Sequence, residues 1–408
     1  MGGIDIARLE FEGSPEGVVK IYLPASKSIS NRALIVQKLS EGKVEITNLS
    51  EAEDTVVLNE ALQKDLGDLW MNDAGTASRF SIAYASVSSG IRVLKGSERL
   101  SQRPMGELIN TLRSLGAEIE CLEGEGYLPV RIEGKELEGG EVEIDAHVSS
   151  QFISALMMIA PKMKRGLKVN FRTKPTSKPY LYITKNVMEM CGAEVEIGDT
   201  FVQIKPTPYS DGKIDVEADW SAASYFFSAV KMNPYLQIFM PFLREKSIQG
   251  DSELINLYAP FGVKSTFQEG GLLLMCDENA FPSNQMDLKD TPDLAQTIAV
   301  TYAGLGLEVN LTGLHTLKVK ETDRIEALVA ELKKFGIHSS GTENSLFVNP
   351  SALTEPRKAV ATYRDHRMAM AFAPLAFKFP IEIENPDVVS KSFPTFFQEF
   401  KKLGFRIS

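Results

Sequence analysis

Apolar and polar residues along the chain repeat one local pattern, in which an amphipathic helix is followed by a glycine and then by a short strand of alternating apolar positions. A glycine in this place suits the left-handed conformation that ends a helix. The pattern recurs about every 70 residues, a period too long for a solenoid repeat but suited to a βαβαββ unit. The glycines of the five copies are Gly116, Gly192, Gly262, Gly336 and Gly404.

Between these copies lie helices of a second kind, which are apolar on nearly every face. They open with the polar residues Ser149, Asp219, Thr291 and Asp365. A helix that is apolar all round is buried inside a domain, so its polar first turn must emerge at the surface. Several such N-termini close together would form one concentrated anion site. The alternation of helices and strands predicts an α/β protein.

Composition and charge are those of a soluble globular protein with two or three domains. The chain has 408 residues, of which 43% are hydrophobic and 24% charged. Its formal net charge of -10 argues against nucleic acid as the main partner, because binding to a phosphate backbone needs a broad basic face. An anionic ligand must therefore be held by a local cluster of cations.

The cysteines and the N-terminus favour the cytoplasm. Three widely separated cysteines do not suggest a disulfide framework, and neither C-x-x-C nor H-E-x-x-H occurs, so we expect no metal site. The N-terminus lacks the basic and apolar regions of a signal peptide, and no apolar run approaches about 18 residues. We therefore expect a cytoplasmic protein that does not span a membrane.

The segment Lys320-Glu-Thr-Asp-Arg324 is the most informative motif. In a helix it would place two cations one turn apart, which costs roughly 0.2–0.5 kcal/mol unless an anion lies between them. Apolar residues from Ile325 onwards form the stripe that seats this helix on a core, with the charged turn at its N-terminus. The alternative interpretation is a solvated helix start in which Glu321 and Asp323 compensate the cations.

Two other segments place cations at predicted helix starts. In one, Lys27 and Arg32 lie among serines; in the other, Gly75 would let a ligand approach the backbone, and Arg79 lies one turn further on. The serines can cap a helix, or they can bind phosphate or carboxylate together with the cations. Each segment alone is a weak signal.

Taken together and in order, these segments resemble the enolpyruvyl transferase family, and within it the branch that uses shikimate 3-phosphate. The matching segments are 26–32, 74–79, 102–104, 148–151, 177–180, 292–293, 319–324, 365–370 and 391–394. The resemblance implies two inside-out α/β domains, each built of three βαβαββ units with helices inside and sheets outside. One domain would hold residues 23–219 and the other residues 1–22 with 220–408, with the active site in the cleft.

The resemblance implies a reaction as well as a fold. The enolpyruvyl group of phosphoenolpyruvate would be transferred to the 5-hydroxyl of shikimate 3-phosphate, with release of phosphate, in the shikimate pathway to chorismate and the aromatic amino acids. We expect two small-molecule substrates, no cofactor and a monomer. Glyphosate would occupy the phosphoenolpyruvate subsite.

The resemblance also assigns the candidate residues to substrates. The shikimate 3-phosphate set is Lys27, Ser28, Arg32, Ser149, Ser150, Gln151, Ser177, Tyr180, Asp293 and Lys320. The phosphoenolpyruvate set is Lys27, Gly75, Arg103, Gln151, Arg324, His366, Arg367 and Lys391. On physical grounds too, serine hydroxyls suit a phosphate and the planar arginine fork suits a carboxylate.

Three residues are expected to act in catalysis. The reaction needs a proton at the phosphoenolpyruvate methylene, attack by the 5-hydroxyl on the cation-like carbon, and loss of phosphate from a tetrahedral intermediate. By the resemblance, Asp293 would serve the hydroxyl, Glu321 the proton transfer at carbon, and Lys27 the phosphate. His366 would orient the phosphate; a capping or core histidine is the alternative.

The sequence departs from the family pattern at a few places. Asp73 stands where a neutral group is usual, Thr316 where asparagine is common, and Phe80 where proline is frequent. The first repeat is short, because only about one strand fits between Leu66 and Asp73. These departures concern affinity and the response to glyphosate more than the fold.

Two rival functions remain open. The enolpyruvyl transferase that acts on UDP-N-acetylglucosamine shares the fold, but that family places a cysteine in a mobile glycine-rich loop. Here Cys121, Cys191 and Cys276 follow a strand, a helix end and a strand. The other rival is a ligand-binding relative that has lost turnover.

Overall fold

A computed structural model describes residues 5–146, 149–277, 282–349 and 352–408, and of Val319 the backbone only. The chain divides into two compact units. The first unit is Met1–Pro24 with Glu217–Ser408, and the second is Ala25–Val216. The domain boundaries predicted from the sequence, at 22/23 and 219/220, differ from the boundaries of these units by two and three residues.

The strands of the described residues are short. They are β1 Ile6–Phe11, β2 Val18–Lys20, β3 Val44–Thr47, β4 Gly67–Trp70, β5 Gly90–Lys95, β6 Glu118–Cys121, β7 Val130–Gly134, β8 Gly140–Ile144, β9 Leu167–Phe171, β10 Val195–Ile197, β11 Phe201–Ile204, β12 Gly212–Asp215, β13 Gln237–Pro241, β14 Val263–Gln268, β15 Gly271–Cys276, β16 Gln285–Asp287, β17 Val309–Thr312, β18 Ser339–Gly341, β19 Leu346–Val348, β20 Ile381–Glu384 and β21 Phe405–Ile407.

The α-helices are α1 Lys27–Leu39, α2 Glu53–Lys64, α3 Gly75–Val87, α4 Glu98–Ser101, α5 Gly106–Ser114, α6 Ser150–Ile159, α7 Lys178–Glu189, α8 Trp220–Met232, α9 Leu254–Tyr258, α10 Ala295–Gly304, α11 Arg324–Lys334, α12 His366–Phe372 and α13 Phe396–Lys401. Short 3₁₀ helices span Ala160–Lys162, Gly250–Glu253, Ala259–Phe261, Pro292–Leu294, His315–Val319, Ala373–Phe377 and Pro386–Lys391.

Four sheets share one topology. The first strand of each runs parallel to the second, the second pairs antiparallel with the fourth, and the fourth pairs antiparallel with the third. The spatial orders are β4-β5-β7-β6 and β8-β9-β11-β10 in the second unit, and β2-β13-β15-β14 and β16-β17-β19-β18 in the first. Helical segments connect the first strand to the second and the second to the third, except that the whole second unit lies between β2 and α8 in the chain, so each sheet belongs to a predicted βαβαββ unit.

The other two sheets vary this plan. In the first unit β1 lies between β20 and β21, and Val360 forms a parallel bridge to Ile383 of β20 in the place of a first strand. In the second unit β12 pairs only with β3, and the chain runs from α2 directly into β4. The prediction of a shortened first repeat is therefore confirmed, because this repeat lacks its final hairpin.

Both predicted classes of helix are present. The five predicted glycines each follow a helical segment and precede a strand, with φ between +77° and +97°. All residues of α10 are buried, and in α6 and α8 only Gln151 and Ser221 of the first turns are not. Helices therefore form the interior, and their polar first turns reach the surface of their unit. No helix in the described ranges combines the length and the apolar composition needed to cross a bilayer.

Gly116→Ala is expected to lower the free energy of unfolding by about 1 kcal/mol, because φ at Gly116 is +97° and an L side chain is strained there. Gly106→Ala at the other end of α5 is the matched control. Its added methyl meets only the Gly126 Cα at 3.5 Å, an ordinary contact, so stability should hold or rise slightly. Thermal unfolding measures both, and equal stability of the two variants would contradict the left-handed helix ending.

Candidate active site

Arg32 lies buried where helices α1, α6 and α7 of the second unit meet, and it is 1% exposed. Its guanidinium donates to Thr184 Oγ1 at 2.7 Å, to Ser154 Oγ at 3.1 Å and to the Ser28 carbonyl at 2.8 Å. It also lies 5.3 Å from the centroid of the Phe80 ring. These partners are neutral, and burial lowers the pKa of Arg32 to about 10. An anion beside this cation would therefore be strongly favoured.

The other shikimate 3-phosphate candidates of the second unit lie at the starts of the same three helices. Lys27 is the first residue of α1 and Ser150 the first of α6. Ser149 caps α6 by accepting a hydrogen bond from the Gln151 N–H at 3.2 Å. Tyr180 lies in the first turn of α7, and its carbonyl accepts from Arg32 at 3.4 Å. Val148, part of the same motif, lies outside the described residues.

Ser177, which precedes α7, has an unusual backbone. Its φ of +55° is left-handed, a conformation that costs energy for a residue with a side chain. Ser177 is also only 5% exposed. Such strained residues concentrate at ligand sites, which agrees with its expected contact to a phosphate.

Two arginines lie over Gly75 at the start of α3. A methyl group on Gly75 would meet Arg103 Cζ at 2.7 Å and Arg79 Nη1 at 2.9 Å. Arg79 donates to Gln151 Oε1 at 2.7 Å, and Gln151 Nε2 donates to Thr76 Oγ1 at 3.0 Å. The phosphoenolpyruvate candidates Gly75, Arg103 and Gln151 are therefore close together. Arg79, a predicted helix-start cation that belongs to neither substrate set, contacts Gln151 and lies beside Gly75.

In the first unit, Asp293 lies among three cations. Its Oδ1 is 3.0 Å from Arg324 Nη1 and 3.6 Å from Lys320 Nζ, and its Oδ2 is 2.9 Å from Arg367 Nη2. Arg324 also contacts Glu321 Oε2 at 2.9 Å. The structure thus brings these candidate residues into one charged cluster.

Arg324 stays charged although it is buried. Its side chain is 2% exposed, and it contacts Asp365 at 2.7 Å as well as Asp293 and Glu321. Burial opposes the charge, but the three carboxylates outweigh burial and raise the pKa of Arg324 above its ordinary value. Arg324 is a permanent cation held by carboxylates from three segments of the chain.

The prediction that Lys320 and Arg324 share one turn of a helix is wrong. Helix α11 begins at Arg324, and Lys320 is extended, with φ -82° and ψ -154°. The reason is Asp323, whose side chain accepts the N–H groups of Ile325 and Glu326, both at 3.1 Å, and so caps the helix after the motif. An anion does lie between the two cations, because both contact Asp293.

Helix α12 carries two more phosphoenolpyruvate candidates in its first turn. Asp365 caps it by accepting from the Arg367 N–H at 2.9 Å. His366 is 1% exposed, and its Nδ1 lies 3.9 Å from Asp365 Oδ1. Lys391, at the end of a 3₁₀ helix, donates to the Arg364 carbonyl at 3.0 Å.

Of the three residues that depart from the family pattern, Asp73 and Phe80 have partners within their own unit. Asp73 accepts a hydrogen bond from Ser97 Oγ, the residue that caps α4. Phe80 supplies the ring beside the Arg32 guanidinium. Thr316 lies in the 3₁₀ helix His315–Val319.

Three carboxylates near the candidates belong to neither substrate set predicted from the sequence. Asp54 lies 3.2 Å from the Lys27 ammonium, and Asp365 is fully buried beside Arg324. Asp251 is 5% exposed and accepts from Ser221 Oγ. Burial, and next the nearby Asp293, raise the pKa of Asp251 to about 7. Only Asp365 had a sequence signal, since an aspartate at a helix start indicates a cap.

Comparisons with known proteins agree on one family. A family model described as EPSP synthase (3-phosphoshikimate 1-carboxyvinyltransferase) matches residues 13–69 and 67–400. A relative from Bacteroides fragilis named 3-phosphoshikimate 1-carboxyvinyltransferase is 44% identical over 391 residues, which cover 95% of each chain. A relative of the same name from Marinomonas sp. is 34% identical, covering 94% of this chain and 96% of its own.

Solved structures support the fold. EPSP synthase from Acinetobacter baumannii has a TM-score of 0.77 at 20% identity, covering 99% of this chain and all of the other. The enolpyruvyl transferase NikO from Streptomyces tendae has a TM-score of 0.76 at 13% identity, covering 99% and 98%.

Asp251→Asn is expected to stabilise the protein progressively relative to wild type as the pH rises. The pKa of Asp251 is raised in the fold from 3.8 to about 7, so its contribution to stability is complete below the lower value and is lost as the pH rises through the higher one. Asparagine cannot ionise, yet its oxygen can still accept from Ser221. The gain should reach on the order of a few kcal/mol by pH 8.

Melting temperatures between pH 4.5 and 8 measure this gain. Asp290→Asn, which changes an exposed aspartate of the same unit, is the control and should follow wild type. A difference between Asp251→Asn and wild type that is constant with pH would rule out an elevated pKa.

Proposed function

Because the chain belongs to the EPSP synthase (3-phosphoshikimate 1-carboxyvinyltransferase) family, we propose that it transfers the enolpyruvyl group of phosphoenolpyruvate to the 5-hydroxyl of shikimate 3-phosphate and releases phosphate. The observation that carries the proposal is the cluster around Asp293, in which carboxylates and permanent cations lie within hydrogen-bond distance. Carboxylates can move protons, and the arginines can hold an anionic substrate.

The charge of the candidate residues fits two anionic substrates. In the second unit, hydroxyl groups and helix starts surround the buried Arg32, and hydroxyls and free N–H groups suit phosphate and carboxylate. In the first unit, Arg324 and Arg367 present planar forks that suit the phosphoenolpyruvate carboxylate. Lys27, Gly75, Arg103 and Gln151 complete the phosphoenolpyruvate set, as the resemblance implies.

In the proposed mechanism, two carboxylates work on different protons. Asp293 takes the proton of the 5-hydroxyl, and that oxygen attacks C2 of phosphoenolpyruvate while Glu321 delivers a proton to the methylene carbon. As the phosphate leaves, Glu321 takes back one methyl proton, which restores the double bond, and the proton held by Asp293 goes to the departing phosphate. Glu321 is 18% exposed, so it is partly shielded from water but open to a substrate. Lys27 carries the charge of the departing phosphate.

The remaining parts of the proposal concern context. The reaction would belong to the shikimate pathway in the cytoplasm, with the chain acting as a monomer and without a cofactor. Glyphosate would compete with phosphoenolpyruvate, since both would bind the same cations. Lack of glyphosate inhibition at concentrations that saturate related enzymes would count against this part alone.

Phosphate release tests the proposal directly. The purified protein should release phosphate when shikimate 3-phosphate and phosphoenolpyruvate are mixed, and neither substrate alone should support release. Replacing shikimate 3-phosphate by UDP-N-acetylglucosamine should give no phosphate. Binding of both substrates without release would instead identify a relative that has lost turnover.

Glu321→Gln is expected to slow kcat by roughly a hundredfold or more, the scale of positioned acid–base catalysis, while substrate binding is retained. Glutamine keeps an oxygen for the bond to Arg324 but cannot deliver the proton. Glu326→Gln, at an exposed position in the first turn of α11, is the control. Phosphate release gives kcat and calorimetry gives binding; near-normal turnover would remove Glu321 from the mechanism.

Gly75→Ala is expected to weaken glyphosate more than phosphoenolpyruvate, by about 1–3 kcal/mol, the range for a small steric change in a tight pocket. The added methyl would displace the Arg103 and Arg79 guanidinium groups, and the longer inhibitor tolerates this less well. The glyphosate inhibition constant and the Michaelis constant for phosphoenolpyruvate should be compared. Equal changes in both constants would defeat the steric argument.

A further inference from the structure

Glu331, on the last turns of α11, is a fully buried carboxylate that contacts three donors. It is 0% exposed. Its Oε2 accepts the Ala361 N–H at 2.9 Å and lies 2.7 Å from Lys334 Nζ, while its Oε1 accepts from the Tyr363 hydroxyl at 2.8 Å. A buried charge is retained only where such bonds compensate its desolvation.

Lys334 extends this contact to a second point of the same segment. Its ammonium donates to the Ala359 carbonyl at 2.8 Å. Glu331 and Lys334 therefore hold residues 359–363 through two backbone groups and one side chain. Val360, between these points, is paired with β20 on its other side.

The held segment leads into a strained turn. Tyr363 and Arg364 have φ of +53° and +57°, so two successive residues with side chains are left-handed. For residues other than glycine this conformation costs energy, so contacts from the surrounding structure must stabilise it. Within the turn, the Asp365 N–H donates to the Thr362 carbonyl at 2.8 Å.

Three cations assigned to phosphoenolpyruvate depend on this turn. The Arg364 carbonyl accepts from Lys391 Nζ at 3.0 Å. Asp365 contacts Arg324 at 2.7 Å and caps the helix start that carries Arg367. A change in the backbone at Tyr363 and Arg364 would therefore move the Arg364 carbonyl and the Asp365 carboxylate together. These two groups are the partners of all three cations.

We propose that Glu331, together with Lys334, is a positioning residue for phosphoenolpyruvate: it holds the left-handed turn at Tyr363 and Arg364, and the turn places Lys391, Arg324 and Arg367. Glu331 itself contacts backbone and side chains of its own unit. This inference rests on the proposed function, because that function assigns the three cations to phosphoenolpyruvate.

Glu331→Gln tests the inference through the two Michaelis constants. The amide cannot satisfy all of the donors that the carboxylate accepts, so the turn should relax. We expect the Michaelis constant for phosphoenolpyruvate to rise about tenfold or more, as small misplacements of binding groups can produce, and that for shikimate 3-phosphate to stay within about twofold. Glu326→Gln on the same helix should leave both constants unchanged.

Two further variants keep the test decisive. Tyr363→Phe removes one of the bonds at a residue that is 40% exposed, and should raise the same constant by a smaller factor even if Glu331→Gln fails to fold. Arg364→Asn in the Glu331→Gln background should restore phosphoenolpyruvate binding, because asparagine adopts the left-handed conformation more readily. Failure of this rescue would overturn the role of the turn.

The outcomes separate this inference from the proposed function. Wild-type protein without phosphate release would overturn the proposed function itself. An active wild type whose Tyr363→Phe and Glu331→Gln variants bind phosphoenolpyruvate normally would overturn only the positioning role. Equal rises in the Michaelis constants for phosphoenolpyruvate and shikimate 3-phosphate would also overturn the positioning role. Such a result would indicate a general loss of structure, which affects the binding of both substrates.

Discussion

Burial of the Arg324 guanidinium is the constraint on which the candidate site of the first unit depends. A buried cation is costly unless carboxylates and hydrogen bonds compensate it, and at Arg324 the compensation comes from Asp293, Glu321 and Asp365. These residues lie at the starts of α10, α11 and α12 or just before them. The three helix starts must therefore meet before the arginine can be buried. Folding of this unit therefore assembles its charged cluster at the same time.

The second unit buries an arginine in a different way. Arg32 is surrounded by hydroxyl and carbonyl oxygens and by an aromatic ring, and its pKa falls, whereas the pKa of Arg324 rises. The difference has a chemical consequence. A buried cation among neutral groups attracts an anionic ligand, whereas the cations around Asp293 already have carboxylate partners, and such carboxylates can also accept or donate protons.

The parts of the fold that sequence predicted are those with local causes. A glycine ends a helix because only its own backbone must become left-handed, so Gly116 and the other four glycines could be identified from their neighbours. The start of α11 also has a local cause, the Asp323 cap, but the prediction instead extended the helix back to Lys320. The contact of Arg79 with Gln151 joins positions 72 residues apart, so no local pattern contains it. Asp54 beside Lys27 and Asp251 beside Ser221 were unpredictable for the same reason.

The shortened first repeat shows how the chain compensates for a missing hairpin. Asp65, which follows the last residue of α2, has a positive φ of +64° and accepts hydrogen bonds from the Tyr84 hydroxyl at 2.8 Å and from Arg92 at 2.9 Å. Arg92 is 1% exposed, so this carboxylate fixes the end of α2 against a buried cation. The first turn of α2 carries Asp54, the partner of Lys27. The contacts of Asp65 thus anchor the C-terminal end of α2, whose N-terminal end carries the Asp54 contact to Lys27. In this repeat they take the place of the strand pairing that the longer repeats have.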